Sequence, residues 1–153
     1  MAASIANSKL TKKRLLVLDT DHFSEWERAS EAGVRLRTRL EQTRPEMAVS
    51  VITVEEQMRG WLAEIGRHQD PRRQITPYAK LRRQVDAFAN WTILPWDTDS
   101  ADRFLNFRGQ GIRIGTLDLK IACIALAHDA TLLTRNAADF AQVPGLRFEN
   151  WLE

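Results

Sequence analysis

Apolar and polar positions along the chain switch repeatedly between two periods. Residues 15 to 18 (LLVL) form an uninterrupted apolar run that ends at Asp19, the pattern of a strand buried on both faces. Ser24 and Glu27 have the spacing of a helix capping box. Trp26, Ala29, Gly33, Leu36 and Leu40 then recur at three and four residues, which predicts helix up to the break near Pro45. Residues 47 to 52 (MAVSVI) read as a second strand. Thr53 and Glu56 form another capping box, and Val54, Met58, Trp61, Leu62 and Ile65 mark one face of a helix over 53–66. Tyr78, Leu81, Val85 and Phe88 mark a helix after Pro77, and residues 91 to 94 a third strand closed by Pro95. Asp97 or Asp99 caps a helix carrying Ala101, Phe104 and Leu105. A glycine-containing loop over 109–115 leads into an apolar, buried helix over 117–128. Residues 131 to 134 (TLLT) read as a fourth strand and 146 to 148 as a fifth.

Strands alternating with helices predict an α/β fold: one domain over 14–153 with a central parallel sheet of four to five strands flanked by helices. Function in such sheets collects beyond the carboxyl ends of the strands. Asp19 and Asp21 follow the first strand, Glu56 the second, and Asp139, close to Asn136, the fourth; Asp118 opens the buried helix. Each has an ordinary structural reading beside the functional one. Asp19 can cap a helix, Glu56 can complete its capping box, Asp118 can face a positive helix end, and Asp139 can cap a turn. Together they bring several carboxylates to one rim, where mutual repulsion favours a cation. Hard ions such as Mg²⁺ or Mn²⁺ take oxygen ligands and suit phosphodiester hydrolysis.

Composition narrows the alternatives. Of 153 residues, 44% are hydrophobic and 27% charged, which fits a globular protein rather than a disordered one. The single cysteine, Cys123, excludes an internal disulfide and reads as a small core residue. No apolar run reaches membrane-spanning length and residues 1 to 13 resemble a polar tail without a signal-peptide core, so a cytoplasmic protein without membrane contact is expected. There is no phosphate-binding P-loop or dinucleotide fingerprint, and His22, His68 and His128 lack zinc-ligand spacing; His128 reads as a partner for a helix end. Trp61, Trp91 and Trp96 are expected in the core, with Trp61 also suited to an interface. The net charge is only +2, but Arg67, Arg72, Arg73, Lys80, Arg82 and Arg83 face a single nearby acid, Asp70. That stretch suits contact with phosphates, with Arg72, Arg73, Arg82 and Arg83 as the candidates; a solvated helix face is the plain alternative.

Three segments carry a family resemblance: VLDTDHFSEW (17–26), SVITVEEQMRG (50–60) and GTLDLKIACIALAHDATLLTRNAADFAQVPGLRFENW (115–151). In this order they resemble the PIN-domain ribonucleases, specifically the VapC-type toxins of bacterial toxin–antitoxin pairs. The resemblance spans about residues 15 to 151 and is most specific at its C-terminal segment. It implies an acidic metal site with Asp19, Glu56 and Asp118 as ligands to Mg²⁺ or Mn²⁺. It also implies Asp139 as a fourth catalytic acid, with Asn136, Asp21 and Thr116 in support. The family often has Asn where this chain has Asp21, and wider PIN domains often have Asp where it has Asn136. Of the neighbours Glu55 and Glu56, helix phase from a Thr53 cap selects Glu56. The implied activity is endoribonuclease, with an RNA substrate, a cognate antitoxin and a homodimer. Two other readings remain: a haloacid-dehalogenase-like phosphatase built on Asp19 and Asp21, and a non-catalytic RNA-binding module of the same fold.

Overall fold

The computed structural model describes residues 13–153; of the expected tail, 1 to 12 lie outside the described residues and Lys13 is exposed. Strand β1 (Leu15–Leu18) is the middle of a five-stranded parallel sheet of order β3-β2-β1-β4-β5, with β2 Glu46–Ser50, β3 Thr92–Leu94, β4 Thr131–Leu133 and β5 Arg147–Glu149. Successive side chains of a strand point to opposite faces. Leu16, Leu18, Val49 and Leu133 therefore join one core with Phe23, Leu36, Leu40 and Phe88. Val17, Ala48 and Leu132 join the other with Leu119, Ile121 and Phe140. Burial on both sides explains why LLVL shows no alternation. From β1 the chain winds outward through β2 and β3, then returns to β4 on the other side. The crevice between the carboxyl ends of β1 and β4 is the position at which open α/β sheets bind ligands.

Seven α-helices cover the sheet among the described residues: α1 (Thr20–Arg28), α2 (Glu31–Thr43), α3 (Val51–Gly66), α4 (Ile75–Phe88), α5 (Thr98–Gly109), α6 (Thr116–Ala127) and the short α7 (Ala137–Phe140). None is long and apolar enough to cross a membrane. The first helical stretch departs from the reading that begins it at Ser24. Asp19, not Ser24, caps α1, and the chain breaks at Ala29, which adopts a left-handed conformation (φ 50°). Ser30 then caps a second helix by accepting from Gly33 N at 3.0 Å. Gly33 lets the two helices meet: a Cβ there would lie 1.9 Å from the Glu25 carbonyl oxygen. Periodicity continues across such a break because both helices turn an apolar side to the same core.

Thr53 is likewise not a cap. Ser50 Oγ accepts from Thr53 N at 3.3 Å, so α3 begins at Val51 and the expected strand ends early. Glu56 thus lies in the second turn and owes its place to no capping box. Helix α4 begins before Pro77, which sits in the first turn, where backbone N–H groups lack intrahelical partners. Phe88 of its expected apolar face is buried, whereas Tyr78 and Val85 are 53% and 51% exposed. Asp97 is the cap of α5, accepting from Ser100 N at 2.9 Å.

Candidate active site

Asp19 is placed by two local constraints. Its backbone N–H donates to Leu133 O at 3.0 Å, extending the β1–β4 ladder by one step. Its Oδ1 accepts from His22 N at 2.8 Å, closing the first turn of α1. Capping and a site role coexist, because the cap occupies one carboxylate oxygen. Asp19 opens onto a pocket of about 340 Å³ lined also by Thr20, Asp21, Ser24, Glu56, Asp118 and Asn136. Three helices and the segment after β4 thereby deliver their polar groups to the crevice at the sheet's switch point.

The carboxylates interact electrostatically. Burial pushes Glu56 above the usual carboxylate range; donation from the Thr20 hydroxyl at 3.0 Å opposes this, and the charges of Asp118, Asp19 and Glu55 add to it. Asp118 is likewise raised, first by burial and then by repulsion from Asp19 and Asp139. Its position in the first turn of α6, favourable toward the helix dipole, does not outweigh these effects. Thr20 Oγ1 also lies 3.1 Å from the buried Thr53 Oγ1, so Thr53, Thr20 and Glu56 form a hydrogen-bonded row between α1 and α3.

Asp21 behaves differently. Arg135 grips it with Nε at 2.6 Å from Oδ2 and Nη2 at 3.0 Å from Oδ1, and reaches Glu25 at 3.5 Å. This pairing holds Asp21 below its ordinary range. With both oxygens occupied, Asp21 is poorly placed to act as the second acid of a phosphatase, so that alternative is not favoured. Asn136 caps α7 and lines the pocket; its Nδ2 donates to Asp139 Oδ2 at 2.8 Å. Asp139 stands behind it, and its charge is felt at Asp118. Thr116 begins α6 on the exposed surface, 3.5 Å from Arg108 Nη2. Arg72 and Arg73 project from the 3-10 turn Pro71–Gln74 and Arg82 and Arg83 from α4, all exposed and none lining the acidic pocket. Arg83 instead lines a groove of about 570 Å³ with Trp61, Lys80, Gln84 and Glu27.

Thr20, Ser24 and Arg135 are the site residues that sequence reasoning missed. Thr20 was legible inside the DTD segment; Arg135 closes on a residue 114 positions away, which no local signal announces. Cys123 is buried, with its thiol pushed up to about 11, as expected of a packing residue. His128 Nδ1 lies 2.9 Å from Ile124 O at the end of α6. The donor chemistry of Asp19, Glu56 and Asp118 fits a hard divalent cation. Among the described residues, however, no three His, Cys, Asp or Glu side chains already stand close enough to hold one. The three carboxylates share one pocket without converging on a single point.

Known proteins resemble the chain in both sequence and fold. A model of the PIN domain family matches residues 16–146. Ribonuclease VapC2 of Haemophilus influenzae is 32% identical over 123 residues, which cover 78% of this chain and 86% of that protein. Ribonuclease VapC2 of Rickettsia felis is 48% identical over a shorter stretch of 42 residues, 28% of this chain and 31% of that protein. The solved VapBC-1 from nontypeable Haemophilus influenzae shares the fold, with TM-score 0.69 and 22% identity over 91% of this chain and 99% of that one. DNA-bound VapBC from Salmonella typhimurium does so with TM-score 0.69 and 23% identity over 90% and 98%.

Proposed function

We propose, because this chain belongs to the PIN-domain family, that it is a metal-dependent endoribonuclease acting in the cytoplasm as the toxin of a toxin–antitoxin pair. The observation that carries this reading is the meeting of Asp19, Glu56 and Asp118, from three separate elements, in one pocket at the switch point of the sheet. Asp19, Glu56 and Asp118 would hold Mg²⁺ or Mn²⁺; burial first, and then repulsion from neighbouring carboxylates, raises Glu56 and Asp118, and a bound cation would offset both effects. A divalent ion supplies charge neutralisation and Lewis acidity for hydrolysis of an RNA phosphodiester. Thr20 aims the Glu56 carboxylate, Arg135 holds Asp21 at the rim, and Thr116, two residues before Asp118, is kept as a supporting residue of the site. Asn136 orients Asp139, which contributes the fourth acid. A non-catalytic module would gain nothing from retaining repelling carboxylates in one pocket.

The test is cleavage of total RNA by the purified protein over a Mg²⁺ titration. Activity is expected only with the metal. Asp139→Asn should raise the Mg²⁺ concentration for half-maximal cleavage, and Asn136→Ala should do so more mildly, because it loosens an acid without removing it. A shift for Asn136→Ala alone would reverse the two roles, and metal-independent cleavage would remove the metal from the mechanism.

The VapBC proteins, to which solved structures similar to this chain belong, are a family of toxin–antitoxin systems, and we assign this chain an antitoxin partner and a homodimeric state. Leu62, Ile75, Tyr78 and Val85 on and beside the α3–α4 hairpin are 51% to 67% exposed, more apolar surface than a solvent-facing hairpin needs. Sedimentation at high micromolar concentration should give a dimer that its cognate antitoxin makes heavier. A monomer unaffected by that antitoxin would count against the assignment.

A further inference from the structure

We propose that His22 is a positioning residue for the Asp19 carboxylate, held in one tautomer by the C-terminal segment of the chain. The His22 ring is fully buried and has two polar contacts. On one side the backbone N–H of Trp151 donates to Nε2 at 3.2 Å. Nε2 therefore presents a lone pair, and the ring proton sits on Nδ1. On the other side Nδ1 stands 3.3 Å from Asp19 Oδ1, the same oxygen that accepts the His22 backbone N–H. Nδ1 has no well-aligned hydrogen bond to any described atom. A buried donor left without a full partner is costly, and the position is one that a phenyl or leucyl side chain would fill more cheaply if packing were its whole purpose.

The arrangement makes sense as a brace. The backbone N–H of His22 donates to Asp19 Oδ1 and the ring Nδ1 stands beside the same oxygen, so both polar contacts of this residue fall on one side of the carboxylate. Trp151 and Leu152 are buried beside β1 and β4, and Arg39 stacks over the Trp151 ring at 3.8 Å. The donor that fixes the His22 tautomer is thus itself fixed. Histidine at position 22 lets the C-terminal segment set the orientation of an acid at the far end of the sequence. The inference rests on the reading of Asp19 as a metal-holding residue.

Two amide substitutions separate its halves. Asparagine places an amide nitrogen where Nδ1 lies; glutamine places an amide oxygen where Nε2 lies. His22→Asn keeps the donor toward Asp19 and loses the acceptor for Trp151, and His22→Gln does the reverse. In calorimetric titration of the RNA-free protein with Mn²⁺, His22→Gln should bind about 10- to 100-fold more weakly than the parent, and His22→Asn within about threefold of it. Thermal melting should rank the two oppositely, with His22→Asn the less stable. A purely structural residue would move both measurements together. A long-range ¹H–¹⁵N correlation spectrum of the unsubstituted, metal-free protein should show His22 protonated on Nδ1 and bare on Nε2, a result independent of whether either variant folds. The Nε2–H tautomer, parental Mn²⁺ affinity in His22→Gln, or equal loss in both variants overturns the proposal. A parent protein that takes up no Mn²⁺ overturns the metal reading itself and this inference with it.

Discussion

Replacing Asp118 by Asn should lower RNA cleavage by about three orders of magnitude while leaving the metal-free protein at least as stable as the parent. The loss follows from the cation: its stabilisation of developing charge is worth several kcal/mol, and each ~1.4 kcal/mol is tenfold in rate. The stability follows from the apo electrostatics. Asp118 is raised by burial and by repulsion from Asp19 and Asp139, so its ionised form is disfavoured in the folded chain, and a neutral amide of the same shape removes that penalty. The pH dependence has a definite sign. Asp118 and Glu56 bind protons more tightly folded than unfolded. Their contribution therefore falls as pH rises from the ordinary carboxylate values, 3.8 and 4.5, through the higher folded values. Asp21, lowered by Arg135, contributes above 3.8 and loses that contribution as pH falls through its folded value. Metal-free protein should accordingly be most stable in the mildly acidic range, and Asp118→Asn should flatten the decline on the neutral side. Melting curves across that range, with cleavage measured in saturating Mg²⁺, check both halves. Parental cleavage by Asp118→Asn would exclude Asp118 from the site.

The second large effect concerns substrate capture. Changing Arg72, Arg73, Arg82 and Arg83 together to Ala should reduce the slope of log affinity against log salt by about 0.7 for each phosphate no longer neutralised, so by roughly 3 if all four engage single-stranded RNA. All four are exposed and none forms an ion pair among the described residues. Their charges are available to a polyanion, and their removal should leave the melting temperature nearly unchanged. Arg83 shares its groove with Lys80 and Trp61, whose ring the Lys80 ammonium covers at 5.5 Å. Filter binding to a fixed RNA over a salt series measures the slope. An unaltered slope returns the cluster to the role of a solvated helix face.

What the sequence determined alone was whatever its local signals encode. LLVL had to be a strand buried on both sides, because no polar residue interrupts it. The alternation of such runs with helical periods required a parallel sheet, and a parallel sheet puts Asp19 and the residues after TLLT on one edge. The segments around Asp19, Glu56 and Asp118 were enough to indicate the family, which the match over residues 16–146 establishes. Tertiary structure decided matters in which a local signal had rivals or a partner was distant. Ser24 and Thr53 have the spacing of caps, yet Asp19 and Ser50 take those places, because strand ends fix where each helix can start. The break at Ala29 lets Gly33 pack closely on Glu25, a contact between helices rather than neighbours in a pattern. Side-chain pairing is decided in the same way: Asp19 and Asp21 are two residues apart in sequence. Arg135, just past the neighbouring strand β4, occupies Asp21, while the oxygen of Asp19 is braced by a histidine that Trp151 holds in place. Periodicity reports which side of an element meets the core; hydrogen bonds and Coulomb forces between segments more than a hundred residues apart depend on how those elements are stacked.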